Sequence, residues 1–149
     1  MKKLFIALML CFISLLFAED ILEGFRDYKF GMTFAEADTL YDDDELSSNS
    51  IEQKSLIYNV KVTLYVHFDL STKKLDKITI CSEHYEDKDR YFLIDEIIQE
   101  YIKKLHGEPS VSSGGHTFWL FNNGGYIEKV SNDKFGTYYT YIDFADYED

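Results

Sequence analysis

The chain has 149 residues, of which 46% are hydrophobic and 17% aromatic, and it contains a single proline. This length suits one domain and excludes a large two-domain enzyme, while the aromatic content argues against extended disorder. Fifteen lysines and arginines against 27 aspartates and glutamates give a formal charge of −12, which argues against nucleic acid and anionic membrane surfaces as partners.

Residues 1–18 have the layout of a secretory signal peptide. Two lysines precede an almost unbroken apolar run from Leu4 to Phe17, and Ala18 stands before a pair of acids. The run is shorter than the roughly 20 apolar residues that span a bilayer, so we expect cleavage after Ala18 and no stable membrane insertion afterwards. An uncleaved anchor is the alternative. The predicted mature domain, residues 19–149, is exported to the periplasm or the medium, and Cys81 is its one cysteine.

A capping box predicts a short first helix. Thr33 and Glu36 have the spacing at which a threonine hydroxyl and a glutamate carboxylate bind each other's backbone amides, so we expect a helix from Phe34 to about Tyr41. The acidic run 42–45 follows, where negative charge opposes the helix dipole and favours the end of the helix. This run could bind a divalent cation, but it departs from the EF-hand pattern, and a solvated loop is the preferred interpretation.

The next part of the chain predicts three antiparallel strands. Residues 51–58 form the first, Val62–Leu70 the second and Leu75–Ser82 the third. Side chains of the second strand alternate between apolar and polar residues, which is typical of a strand with one buried face. Because the apolar set is expected to face the helices, Tyr65 and His67 are expected on the opposite, open face.

A long helix and three more strands follow. The helix is expected to begin near Asp87 or Asp89 and to end at Gly107. The three strands are predicted at His116–Phe121, Tyr126–Val130 and Thr137–Phe144. The predicted fold is α+β, an antiparallel sheet of about six strands in α-βββ-α-βββ order with both helices on one face and a frayed acidic C-terminus.

Alternation in the last strands predicts which aromatic side chains are exposed. The set predicted to face the core comprises Phe118, Leu120, Tyr138, Thr140, Ile142 and Phe144. That choice places Trp119, Tyr139 and Tyr141 on the open face beside Tyr65 and His67. Aromatic residues dominate protein interfaces, so these five are the predicted binding residues. The alternative is that the rings only contact their cross-strand neighbours.

The sequence contains no recognised catalytic motif, and no catalytic residue, metal ligand set or cofactor site is predicted. Cys81 and His67 fall on the same face by alternation, so a small thiol-dependent enzyme is one alternative function. Cys81 and His84 would supply only two ligands of a zinc site, which needs at least three from the protein. An acidic domain that binds a divalent cation through residues 42–45 is the remaining alternative.

Three segments carry a resemblance to known proteins. Gly31-Met32-Thr33-x-x-Glu36, His106-Gly107-Glu108-Pro109 and Trp119 in the following strand resemble small exported bacterial domains. The chain is similar in this respect to SmpA/BamE-like outer-membrane assembly lipoproteins and to the β-lactamase-inhibitor-protein-like fold. The resemblance implies helices packed on an antiparallel sheet and a role in binding other proteins. The predicted function is therefore a non-catalytic domain that binds another extracytoplasmic protein through the open face of its sheet.

Overall fold

The computed structural model describes residues 21–40, 46–47, 49–82, 87–132 and 136–143. The predicted signal peptide, the acidic run 42–45, His84 and the C-terminal residues 144–149 lie outside the described residues.

Within that part of the chain there are ten strands and two helices. In chain order these are β1 (Gly24–Phe25), β2 (Tyr28–Lys29), α1 (Phe34–Asp38), β3 (Leu46–Ser47), β4 (Ser50–Ile57), β5 (Val60–Phe68), β6 (Leu75–Ser82), α2 (Lys88–His106), β7 (Val111–Ser113), β8 (His116–Leu120), β9 (Tyr126–Asn132) and β10 (Gly136–Ile142). The first two strands pair as a separate hairpin, and the other eight form one antiparallel sheet in the order β3-β4-β5-β6-β10-β9-β8-β7.

The α+β class and the antiparallel sheet are confirmed, whereas the predicted α-βββ-α-βββ order and the count of six strands were wrong. Strands β3 and β7 have two and three residues, and runs this short show no hydrophobic period. Each helix precedes a four-stranded meander, and the two meanders join through the antiparallel pair β6–β10.

Helix α1 begins at the predicted capping box, and α2 begins at Asp87, one of the two starts predicted for it. The Thr33 hydroxyl accepts from the Glu36 amide at 3.3 Å, and the Glu36 carboxylate accepts from the Thr33 amide at 2.8 Å. Helix α1 nevertheless ends at Asp38, because Thr39 caps it and donates its hydroxyl to the Glu36 carbonyl. Helix α2 runs from its Asp87 cap to Gly107, whose φ of 80° suits glycine and ends the helix where it was predicted to end.

The core lies between one face of the sheet and α2. Ile98 and Ile102 of α2 are fully buried, as are Ile78 and Ile80 of β6. Helix α1 packs on the same side, because its Phe34 ring lies 5.2 Å from the Phe68 ring. We call this side of the sheet the helix face.

The N-terminal hairpin also covers the helix face. The Phe25 ring lies 5.1 Å from the Tyr141 ring, and the side chain of Asn123 exchanges hydrogen bonds with the backbone of Leu22. Arg26 donates to the Leu56 carbonyl at 2.6 Å and fixes the hairpin to the end of β4. Residues 21–30 therefore do not fold over the opposite face.

Candidate functional site

The structure places three predicted binding residues on the helix face. Trp119 is 2% exposed, and Tyr139 and Tyr141 are 0% exposed. The prediction that these side chains face outward was wrong. Their predicted role in docking depended on that exposure and therefore has no support.

Hydrogen bonds to the region of α2 explain this orientation. The Trp119 indole N–H donates to the Gly107 carbonyl at 2.9 Å, and the Tyr139 hydroxyl donates to Asp95 Oδ1 at 2.9 Å. The Tyr141 hydroxyl lies 3.4 Å from His106 Nε2. A buried tryptophan or tyrosine is favoured where its polar atom has a partner, and the helix supplies one for each ring.

A buried ion pair completes the polar part of the helix face. Lys129 Nζ lies 2.7 Å from Asp95 Oδ2 and 2.6 Å from Gln99 Oε1, and both members of the ion pair are nearly buried. Burial, together with the adjacent Asp95 carboxylate, raises the pKa of Tyr139 far above its usual range. These groups satisfy one another, so the helix face is a structural core.

The opposite side of the sheet carries three parallel rows of side chains, which together we call the open face. The first row runs through Leu120, Tyr126, Ile142, Lys77, His67 and Ser50. The second row runs through Val111, Phe118, Glu128, Thr140, Thr79, Tyr65 and Glu52. The third row runs through Ser113, His116, Val130, Tyr138, Cys81, Thr63 and Lys54. None of the described helices packs on this face.

The two halves of the open face differ in chemistry. Strands β7–β10 present mainly apolar side chains, of which Leu120 is 58% exposed and Phe118 and Ile142 are half-buried. Strands β4–β6 present mainly hydroxyl and charged groups around a depression of about 650 Å³. Tyr65, 41% exposed, and His67 line this depression, on the face predicted for them. Their role in binding remains a prediction.

Two histidine–carboxylate pairs lie on this side of the sheet. His67 Nδ1 is 2.7 Å from Asp76 Oδ1, and His116 Nδ1 is 2.7 Å from Glu128 Oε1. The His116 ring also stacks on Phe118, with the ring centroids 6.2 Å apart and the planes 9° from parallel. These contacts hold the two imidazoles in fixed positions on the sheet.

Cys81 and His67 are not brought together. Cys81 pairs with Thr63, which stands four residues before His67 on β5, a separation of about 13 Å along the strand. Burial and the Glu52 carboxylate raise the pKa of the Cys81 thiol to about 11. A thiol in this environment stays protonated at neutral pH, whereas nucleophilic catalysis needs the thiolate.

Within the ranges given above, no group of three or more His, Cys, Asp and Glu side chains could hold a metal ion. In the same part of the chain, neither helix is long and apolar enough to cross a membrane. No known protein family, curated protein sequence or solved structure matches this chain.

Proposed function

We propose that this chain is an exported, non-catalytic domain that binds another protein through the open face. The observation that carries the proposal is the apolar half of that face, formed by β7–β10 and left uncovered by the described residues. Leu120, Tyr126 and Ile142 are neighbours in the first row, and the Phe118 ring lies 6.4 Å from the Tyr126 ring, whereas Glu128 and Thr140 separate this group from Val130 and Tyr138. An uncovered apolar group of this kind is typical of an interaction site. Export rests on the N-terminal signal pattern.

The dimensions of the open face suit a standard protein interface. Seven strands about 4.8 Å apart and three rows about 6.8 Å apart cover about 700 Å². A specific complex buries about 800 Å² on each partner, whereas obligate dimers bury more and are more apolar. Because polar side chains fill the β4–β6 half, the face fits a separate protein that associates reversibly.

Charge indicates the chemistry of that partner. Within the three rows, Glu52 and Glu128 balance Lys54 and Lys77, and Asp76 beside His67 adds one further acid to this side, so most of the excess of acids over bases lies elsewhere in the chain. A partner seated on a nearly neutral face and surrounded by acidic protein gains from basic residues at its rim. Two copies of this chain, each at −12, repel one another. The proposed occupant is therefore a basic protein with an apolar patch.

Leu120→Arg tests the proposal, with Leu70→Arg as a matched control. Leu120 is 58% exposed on the open face, and Leu70 is 61% exposed in the turn after β5. Proteins captured from an extracytoplasmic extract would be purified, and their affinity for each variant measured by calorimetry. We expect Leu120→Arg to weaken binding of a basic protein at least about tenfold, because arginine disrupts the apolar contact. Leu70→Arg should bind as the unmodified chain does.

Three results would contradict the proposal. In the first, Leu120→Arg binds the partner as tightly as the unmodified chain does. In the second, the Leu70→Arg control weakens binding as much as Leu120→Arg does. In the third, no captured protein binds the unmodified chain after purification. Circular dichroism would establish that both variants remain folded.

A further inference from the structure

The carboxylates on the side of the open face differ in the partners they have. Within the described residues, Glu52 Oε1 lies 3.1 Å from Lys54 Nζ, whereas Asp76 and Glu128 each lie 2.7 Å from a histidine ring nitrogen. Lysine keeps its charge at physiological pH, but histidine is the side chain that gains a proton between about pH 5 and 8. Two of these three carboxylates therefore have a partner whose charge depends on pH.

The surroundings of His67 contain one carboxylate and one ammonium group. Ser50 of β4 lies directly opposite His67 on one side, and Lys77 of β6 lies directly opposite on the other. Asp76 contacts the ring at Nδ1, and the His67 side chain is 40% exposed, so solvent protons reach it. Protonation of this ring converts a negatively charged pair with Asp76 into a neutral ion pair.

His116 has the same arrangement at the other end of the open face. Ser113 of β7 and Val130 of β9 lie directly opposite it, and its ring stacks on Phe118. Glu128, 2.7 Å from Nδ1, is the charged group among these neighbours. Protonation of His116 therefore neutralises the Glu128 carboxylate at the edge of the apolar half.

The sign of the charge on the open face depends on these two histidines. While both rings are neutral, the three carboxylates exceed the two lysines, Lys54 and Lys77, by one charge. When both rings are protonated, the cations exceed the carboxylates by one. A basic protein is attracted to the face in the first state and repelled from it in the second.

We propose that protonation of His67 and His116 releases a basic protein partner from the open face as the pH falls from about 7.5 to about 5.5. The inference rests on the proposed function, because it concerns regulation of the same face. At the higher pH, Asp76 and Glu128 attract basic residues of the partner. At the lower pH, the adjacent imidazolium ions neutralise both carboxylates.

Calorimetry with an amphipathic peptide of alternating lysine and leucine residues, at about pH 7.5 and about pH 5.5, tests the inference. We expect about tenfold weaker binding at the lower pH. A double variant, His67→Gln with His116→Gln, should remove this difference and keep the affinity at the higher pH, because glutamine leaves a neutral amide beside each carboxylate. His106→Gln is the matched control, since His106 contacts Tyr141 on the helix face, and it should preserve the difference.

NMR titration of the histidine rings gives a second measurement. Coupling between proton binding and peptide binding is reciprocal, so bound peptide should move the titration midpoints of His67 and His116 to lower pH. A tenfold effect corresponds to a combined shift of about one pH unit over the two rings. The midpoint of His106 should not move.

Equal affinity at the two pH values, or tighter binding at the lower one, would overturn the inference. It would also be overturned by a pH dependence that persists in the double variant or disappears in His106→Gln, and by the absence of peptide binding at either pH. Amide NMR spectra of each variant at both pH values would establish that the domain remains folded.

Failure of this inference is distinguishable from failure of the proposed function. If Leu120→Arg weakens binding of the peptide but pH has no effect, the docking face stands without this regulation. If Leu120→Arg changes binding of neither the peptide nor the captured protein, docking on the open face is contradicted and the inference is contradicted with it.

Discussion

In β8 and β10 the two faces of the sheet distribute their side chains against the order that simple hydrophobicity predicts. The helix face buries Trp119, Tyr139 and Tyr141, which carry polar atoms, whereas the open face leaves Phe118 half-buried and Leu120 exposed. The helix explains the first choice, because it accepts or approaches a hydrogen-bonding atom of each buried ring. Folding does not explain the second choice, since a half-buried phenylalanine and an exposed leucine on a face without a helix contribute little to the core. An apolar partner would explain it.

The neighbours Trp119 and Phe118 give the sharpest test of this contrast, because they point to opposite faces of β8. Trp119→Ala should lower the free energy of unfolding by about 3–5 kcal/mol, since it opens a cavity beneath α2 and removes the bond to Gly107. Phe118→Ala should cost less than about 1.5 kcal/mol, because the side chain is only half-buried. Urea unfolding monitored by circular dichroism measures both. Equal losses, or a larger loss for Phe118→Ala, would show that the two faces have been assigned the wrong way round.

A smaller effect is expected at Cys81, which tests whether the open face contains an activated nucleophile. The pKa of Cys81 is about 11, compared with an ordinary value of 9.0, so at about pH 8 the folded protein contains roughly a hundredfold less thiolate than the urea-unfolded chain. The more basic thiolate is also the better nucleophile, which offsets about a factor of ten. The folded protein should therefore react with iodoacetamide roughly tenfold more slowly than the unfolded chain. The rate should continue to rise up to about pH 11. Because the raised pKa disfavours the thiolate in the folded state, stability should fall as the pH rises through 9.0.

A rate that already reaches its plateau at or below about pH 8 would contradict this account and favour the thiol-enzyme alternative. Alkylation of the unfolded chain over the same pH range serves as the control for the intrinsic reactivity of the thiol.

Much of the fold could be predicted from local signals. The capping box at Thr33 and the Gly107 terminus located two helix ends, and Asp87 was one of the two starts predicted for α2. Alternation in β5 separated its inward and outward side chains correctly. These signals act over a few residues, so the sequence contains them in full. The strands β3 and β7 were missed because pairing with longer neighbours, and not their own composition, makes them strands.

The orientation of the last strands depended on long-range register. Trp119 lies opposite Ile127, Ile127 opposite Tyr141, and Tyr141 opposite Ile78. Ile78 is fully buried against the helices, so knowledge of this pairing order would have placed Trp119 and Tyr141 inward as well. The prediction for β8 considered that strand alone and assigned its leucine and phenylalanine to the core, because they are more hydrophobic than tryptophan. Hydrophobicity takes no account of the hydrogen bonds that α2 supplies to the buried rings.

Site-specific photocrosslinking in the intact source cells tests the docking face most directly. A photoreactive phenylalanine analogue at position 120 of the open face would be compared with the same analogue at Leu93, which is 56% exposed on α2. The account predicts a discrete protein adduct from position 120 and none from position 93. An adduct from position 93 alone, or equal adducts from both, would contradict it.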